Sequence, residues 1–228
     1  MKSLKEISLK YDVDKLELGF LDHYEEKFGS IRNDITKVLE IGVETGRSHR
    51  MWLEYFPNAN IYGFDIFKFG VDELNILQKD NPYLDRSIMF KGDQENTDDL
   101  EKFLSLHGGD FDIIIDDGGH SMRQQQISLK VLYKHLKNNG IYVIEDLHTS
   151  SNQWNELYGY TIVEDGDTLS MSLMEDFQNN ESTIDSTKHI SVQEMSDLRD
   201  KMVQCKIETG LNSYENYIWP TTLSFLDF

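Results

Sequence analysis

Val38-Leu39-Glu40-Ile41-Gly42-Val43-Glu44-Thr45-Gly46 is the stretch that decides the fold. A short apolar run enters a glycine-punctuated turn, and Ser48 to Phe56 then carries a helical pattern. Strands covered on both faces read as near-continuous Val, Ile and Leu, as in a parallel sheet. Lys37 to Val43 has that character, and the same unit recurs downstream. Asn60 to Ile66 and Ser87 to Phe90 are further β-prone runs, and Phe111 to Asp117 (FDIIIDD) and Gly140 to Asp146 (GIYVIED) are the clearest. Helical segments fit between them at Val71 to Lys79, Asn96 to Leu106 and Arg123 to Leu136. In the last of these Ile127, Val131, Leu132, His135 and Leu136 repeat at helical spacing, and Asn138-Asn139-Gly140 supplies the stop. Alternating β and α elements predict an α/β fold: a doubly wound, mostly parallel sheet with helices on both faces.

The flanks are less regular. Three prolines in 228 residues and no Gly/Ser-rich linker predict a single domain. Residues 1–33 read as an N-terminal helical cap, with Tyr24 and Phe28 over the ligand site, and residues 34–150 as the ligand-binding core. Residues 151–228 form an acceptor-side region with closing strands. Within it Asp176 to Lys188 reads as a mobile loop, Val192 to Cys205 as a helix and Tyr217 to Phe228 as a closing strand or hairpin.

Bulk chemistry narrows the function. The charge of −19, from 22 basic and 41 acidic residues, opposes binding to long nucleic acid, whose affinity depends on a basic surface releasing counterions. No apolar run approaches the roughly 20 residues of a membrane span, and no signal peptide is visible at the N-terminus. A cytoplasmic protein is expected. Cys205 is the only cysteine, which excludes an intrachain disulfide and a thiolate metal cluster. The exposed terminal segments predict a homo-oligomer.

In an open α/β sheet, ligands bind beyond the carboxyl ends of the strands. The loop after the first strand carries Glu40-x-Gly42-x-x-x-Gly46, whose glycines let the backbone approach a ligand and turn into the helix. Val43 stands where the dinucleotide pattern G-x-G-x-x-G has its second glycine. Glu40 adds a carboxylate that suits a cationic sulfonium amino acid better than a pyrophosphate. Asp65 ends the second strand, where an acid can accept both hydroxyls of a ribose, and Gly92-Asp93-Gln94 follows the third.

A second cluster lies at the same edge. Asp116-Asp117-Gly118-Gly119-His120 ends the fourth strand and Glu145-Asp146 the fifth. Hard oxygen ligands from two loops suit Mg²⁺ or another divalent cation. Neighbours on a regular strand point to opposite faces, so Glu145 and Asp146 can share an ion only if the strand ends there. His120 can accept a proton near neutral pH, and an alcohol held by a metal beside such a base becomes a competent nucleophile. Strand-end acids are also often solvated or cap a helix, as Asp117 could. Trp52, Trp154 and Trp219 read as packing residues, and His148 as a residue near the site.

The series EIGVETG, FDI, KGD, IIIDDGGH, IYVIED resembles a class I S-adenosylmethionine-dependent methyltransferase over roughly Lys37 to Thr149. The resemblance implies Glu40, Gly42, Gly46, Asp65, Asp93 and Asp116 as cofactor residues. DDGGH followed by YVIEDLHTS, with Tyr11-Asp12-Val13-Asp14-Lys15 before the fold, is similar to the metal-dependent sugar O-methyltransferases of macrolide (mycinose) biosynthesis. That likeness implies Asp117, Glu145 and Asp146 as metal ligands, His120 as general base with Asp117 beside it in catalysis, and a small-molecule sugar acceptor. The alternatives are a metal-independent or catechol-type methyltransferase, an NAD-dependent oxidoreductase and a non-catalytic cofactor-binding domain.

Overall fold

A computed structural model describes residues 1–68, 82–150, 168–212 and 219–228. Its strands are β1 (Lys37–Ile41), β2 (Asn60–Asp65), β3 (Ser87–Lys91), β4 (Phe111–Asp116), β5 (Leu136–Ile144), β6 (Gln204–Asn212) and β7 (Trp219–Asp227). They form one sheet in the order β3-β2-β1-β4-β5-β7-β6. β1 to β5 pair in parallel, and β7 joins β5 and β6 antiparallel. The doubly wound, mostly parallel sheet expected from the sequence is the one observed.

Side-chain alternation assigns the two faces. Val38, Ile113, Ile115, Val143 and Phe225 project to one side, where α1 (Leu4–Tyr11), α2 (Leu21–Phe28) and α3 (Arg47–Tyr55) cover them. Leu39, Ile41, Ile114, Tyr142 and Ile144 project to the other. There they meet α4 (Thr97–His107), α5 (Met122–Leu132), α6 (Ser170–Gln178) and α7 (Val192–Lys201). Both faces are therefore buried, which is why β4 reads as an unbroken run of isoleucine. No helix among the described residues is long and apolar enough to cross a membrane.

Several local expectations are corrected. The helix placed at Arg123 to Leu136 ends at Leu132, a 3₁₀ turn follows over Tyr133–His135, and Leu136 already belongs to β5. Asn138-Asn139-Gly140 is no helix stop. It lies where the β4–β5 register jumps from Phe111↔Leu136 to Ile113↔Ile141, with Asn139 at φ 66° in the irregularity. The helix placed at Val192 to Cys205 stops at Lys201, because Met202 turns extended, and Cys205 sits buried in β6 opposite Leu226. Asp176 to Lys188 is not a free loop: Asp176 lies on α6, is 2% exposed and touches the Arg199 guanidinium. It also accepts hydrogen bonds from Thr183 N at 3.0 Å and Oγ1 at 2.5 Å.

Tyr24 and Phe28 do not cap a ligand site. Both are fully buried in an aromatic cluster with Trp52, Phe56 and Phe225, and only the turn around Asp12, Asp14 and Leu18 reaches the pocket. The helix expected at Val71 to Lys79 and Trp154 lie outside the described residues. Trp52 packs in the core as expected.

Candidate active site

Register brings the strand ends to one edge. Ile41 pairs with Phe64 and Asp116, Asp116 with Ile144, and Asp65 with Lys91. Beyond that edge opens a pocket of about 540 Å³, within the usual range for small-molecule sites. Gly42 to Thr45, Asp65, Asp93, Asp117 to His120 and Asp146 all line it.

The glycine loop is built around Asp65. Its Oδ2 accepts the backbone N–H of Val43 at 2.7 Å and of Glu44 at 3.0 Å, and its Oδ1 accepts that of Phe67 at 2.5 Å. A carboxylate offers about four acceptor positions, so Asp65 spends most of its capacity on shaping the loop. Gly42 is at φ +83°, and a Cβ there would lie 2.0 Å from the carbonyl oxygen of Asp117. Its lack of a side chain lets the β1 and β4 loops pass, a tighter constraint than ligand approach alone. Gly46, at φ 80°, is the left-handed residue that starts α3 and does not line the pocket. Asp93 lines the pocket, and its Oδ1 accepts the Glu95 N–H at 2.9 Å.

Three of the expected site residues point elsewhere, and strand alternation is the reason. Glu40 shares the parity of Val38 and projects under α3, where it is fully buried. There it accepts Trp52 Nε1–H at 3.1 Å and lies 3.2 Å from His49 Nδ1. Asp116 shares the parity of Ile114 and faces α5. It accepts hydrogen bonds from Ser128 Oγ, from Gln94 Nε2 at 3.1 Å and from Tyr142 Oη at 3.2 Å. Burial pushes its pKa up to about 6 despite those donors. Glu145 shares the parity of Val143 and faces the N-terminal helices. One of its oxygens accepts Lys15 Nζ at 2.8 Å and the other Tyr24 Oη at 2.5 Å. None of the three lines the pocket.

The remaining acids converge. β5 ends at Ile144, and Asp146 takes φ 54°, which breaks strand geometry and turns its carboxylate into the pocket. Asp117, His120 and Asp146 each offer a ligand atom, and these lie within 4.8 Å of one another. His120 Nε2 is 3.4 Å from Asp146 Oδ2. Asp146 Oδ1 is buried and accepts no hydrogen bond among the described residues, so one acceptor there is open to a cation. Burial pushes the Asp146 pKa up to about 6, with the His120 charge opposing it. His148 Nδ1 accepts the Thr222 N–H at 3.3 Å, and burial takes its pKa down to about 4. It is therefore a neutral ring beside the site, unable to donate from Nδ1 to Asp146 Oδ1 at 3.8 Å.

Two residues that the sequence motifs contain, but to which those motifs assign no site contact, also enter. Gln94 bridges the third and fourth loops, donating to Asp116 and accepting Gly119 N–H at 2.6 Å. Lys15, 1% exposed, contacts Asp117 Oδ2 and Glu145 Oε2 together. Burial alone would lower its pKa, but the Asp117, Glu145 and Glu40 charges outweigh it and hold the ammonium well above the ordinary lysine range. The two partners of Lys15 lie 102 and 130 residues away in sequence, so no local pattern announces the contact.

Residues 39–147 match a family model described as a methyltransferase domain. The mycinamicin VI 2''-O-methyltransferase of Micromonospora griseorubida is 35% identical over 198 residues, 82% of this chain and 44% of that protein. The 8-demethyl-8-(2-methoxy-alpha-L-rhamnosyl)-tetracenomycin-C 3'-O-methyltransferase of Streptomyces olivaceus is 37% identical over 139 residues, 58% of this chain and 33% of that protein. Among solved structures, the MycE methyltransferase of the mycinamycin biosynthetic pathway, in complex with Mg, SAH and mycinamycin VI, superposes with a TM-score of 0.63. It is 26% identical, with 99% of this chain and 54% of that one covered. The chain thus spans less than half the length of these two curated relatives. Sheet order, loop geometry and these likenesses together identify residues 39–147 as a class I methyltransferase domain, in a chain that resembles the O-methyltransferases of macrolide and tetracenomycin biosynthesis.

Proposed function

We propose that the chain forms all or part of a cytoplasmic, S-adenosylmethionine-dependent O-methyltransferase that methylates a sugar hydroxyl with the help of a divalent cation. The observation that carries this reading is the convergence of Asp117, His120 and Asp146 in the same pocket as the Gly42–Thr45 loop. The sugar acceptor is supported by the relative whose name specifies a rhamnosyl group. Glycosylated metabolites come first among acceptors, and activated sugars or polysaccharide precursors follow.

Gly42, Asp65 and Asp93 would hold the cofactor, with Asp65 acting mainly through the loop it orders. Glu40 and Asp116 would support that loop and its neighbour from below, and Gly46 would start the helix behind it. Bound there, S-adenosylmethionine supplies a methyl group on a positively charged sulfur. Asp117 and Asp146 would hold the divalent cation, which polarises a coordinated hydroxyl when present. Glu145 would reach that ion only by giving up Lys15. His120 stands beside Asp146 and accepts the proton that the acceptor hydroxyl loses as its oxygen takes the methyl. Positioning supplies much of the remaining acceleration of an in-line displacement.

The test is methyl transfer from isotope-labelled S-adenosylmethionine to a panel of rhamnosyl and related glycosides, with and without Mg²⁺. Label in a sugar methyl ether, lost on adding excess chelator and restored by Mg²⁺, is the expected result. Full activity in excess chelator would refute the metal's role, and label only in catechol-type acceptors would refute the sugar.

A further inference from the structure

Lys15 is the feature that the proposed chemistry does not use. It sits on a single 3₁₀ turn, Asp14–Leu16, between α1 and α2, and the turn is pinned by the Phe20 N–H donating to the Lys15 carbonyl at 3.1 Å. The side chain runs inward until 1% of the residue remains exposed. A buried ammonium is costly unless paired, and this one is paired twice. One partner, Asp117, belongs to the pocket trio; the other, Glu145, has its second oxygen on Tyr24.

The contact makes Asp117 a shared residue. Its Oδ2 faces the Lys15 ammonium from within the protein, while the same carboxylate stands among the pocket ligand atoms. Asp117, Glu145 and Asp146 bring three carboxyl groups to two adjoining strand ends, and the Lys15 ammonium meets two of them from the buried side.

We propose that Lys15 is a tethered internal cation that competes with the divalent ion for the carboxylates of Asp117 and Glu145, and so sets how strongly the site binds metal. This rests on the metal-site reading of Asp117 and Asp146 given above. With Lys15 in place the acid cluster holds together without metal, at the expense of metal affinity. Removing the ammonium leaves the acids needing a cation. Even at the dielectric constant of bulk water, about 80, a unit charge about 5 Å from a divalent ion changes its affinity by about tenfold or more, and a partly buried site enlarges the effect. The N-terminal turn thereby acts as a positioning device on a site formed more than a hundred residues later.

Titration of the chain with Mn²⁺, read by electron paramagnetic resonance of the free ion, tests this directly. Lys15→Met should bind Mn²⁺ at least about tenfold more tightly than the unaltered protein. Its thermal midpoint without metal should fall, and Mg²⁺ should recover more of it than in the unaltered protein. Lys15→Gln keeps a donor for both carboxylates without the charge, and should show the same gain if the methionine variant does not fold. Unchanged or weaker Mn²⁺ binding in these variants, while Asp146→Ala still loses the ion, overturns the role of Lys15 alone. No Mn²⁺ binding by any of these proteins overturns the metal site and the competition together.

Discussion

The pocket has two walls that satisfy their carboxylates by opposite means. At the end of β2, Asp65 is held by three backbone N–H groups from residues within about one loop of it in space. At the ends of β4 and β5, Asp117 in the wall and the buried Glu145 behind it are held by the ammonium of Lys15, delivered from the N-terminal segment. The first wall uses neutral dipoles fixed by backbone geometry. The second uses full charges that another cation can replace. A wall of the first kind suits a shape to be held constant, and one of the second suits an ion that comes and goes. Perturbing the walls separately should therefore give different signatures.

The largest effect is expected at the acid wall. Asp117→Ala and His120→Ala should each lower turnover by about a thousandfold, the scale of losing a positioned base or a metal-held nucleophile. Calorimetry with S-adenosylhomocysteine should find its affinity within a few-fold of the unaltered protein. A parallel loss of cofactor affinity would merge the two walls into one. At the glycine wall, Gly42→Ala should destabilise the fold by about 3 kcal/mol, since it combines a positive φ with a backbone overlap. Denaturant unfolding checks that figure, and its loss should appear equally with and without Mg²⁺.

Asp116 gives a pH signature of comparable size. Its pKa in the fold is about 6 against an ordinary value of 3.8, so the folded state binds a proton more tightly than the unfolded chain. The contribution to stability is therefore greatest below the ordinary value and lost as pH rises through about 6. Between pH 4 and 7 it amounts to about 3 kcal/mol at most, at 1.36 kcal/mol per pKa unit. Asp116→Asn should flatten that part of the stability profile measured by urea unfolding; an unchanged slope would remove Asp116 as its source. The smallest effect belongs to Asp65→Asn, which keeps an acceptor for the loop amides and loses charge. It should weaken S-adenosylhomocysteine by about tenfold or less, roughly 1 kcal/mol, in an isothermal titration.

The same contrast explains what the sequence could tell. The glycine wall is local: Gly42, Gly46 and Asp65 lie within one β-α-β unit, and apolar runs with turn residues predict such a unit well. Strand existence and sheet class follow from the same patterns, because both faces of β1 and β4 are buried. The acid wall was legible as a cluster but not as a set of contacts. Alternation puts Glu40 on the α3 face with Val38, Asp116 on the α5 face with Ile114 and Glu145 on the N-terminal-helix face with Val143, and counting parity along each strand finds this from the sequence. Gly42 also had a second reason to be glycine, the passage of the Asp117 backbone, which no single-chain pattern exposes.

Other misreadings come from tertiary context overriding local signals. Asn138-Asn139-Gly140 has the composition of a helix stop, yet it serves as an irregularity inside β5. Met202 to Cys205 continues an amphipathic pattern, but pairing with β7 pulls it into the sheet. The polar stretch after Asp176 looks unstructured until Arg199 and Thr183 close on that one buried carboxylate. In each case the deciding partner lies on another element.

Everything proposed for the acid wall presupposes that the glycine wall receives S-adenosylmethionine, and a calorimetric titration of the chain with S-adenosylhomocysteine, with NAD as the control, tests that most directly. Saturable binding of S-adenosylhomocysteine and none of NAD is the predicted result; saturable NAD binding without S-adenosylhomocysteine binding would contradict the account at its base.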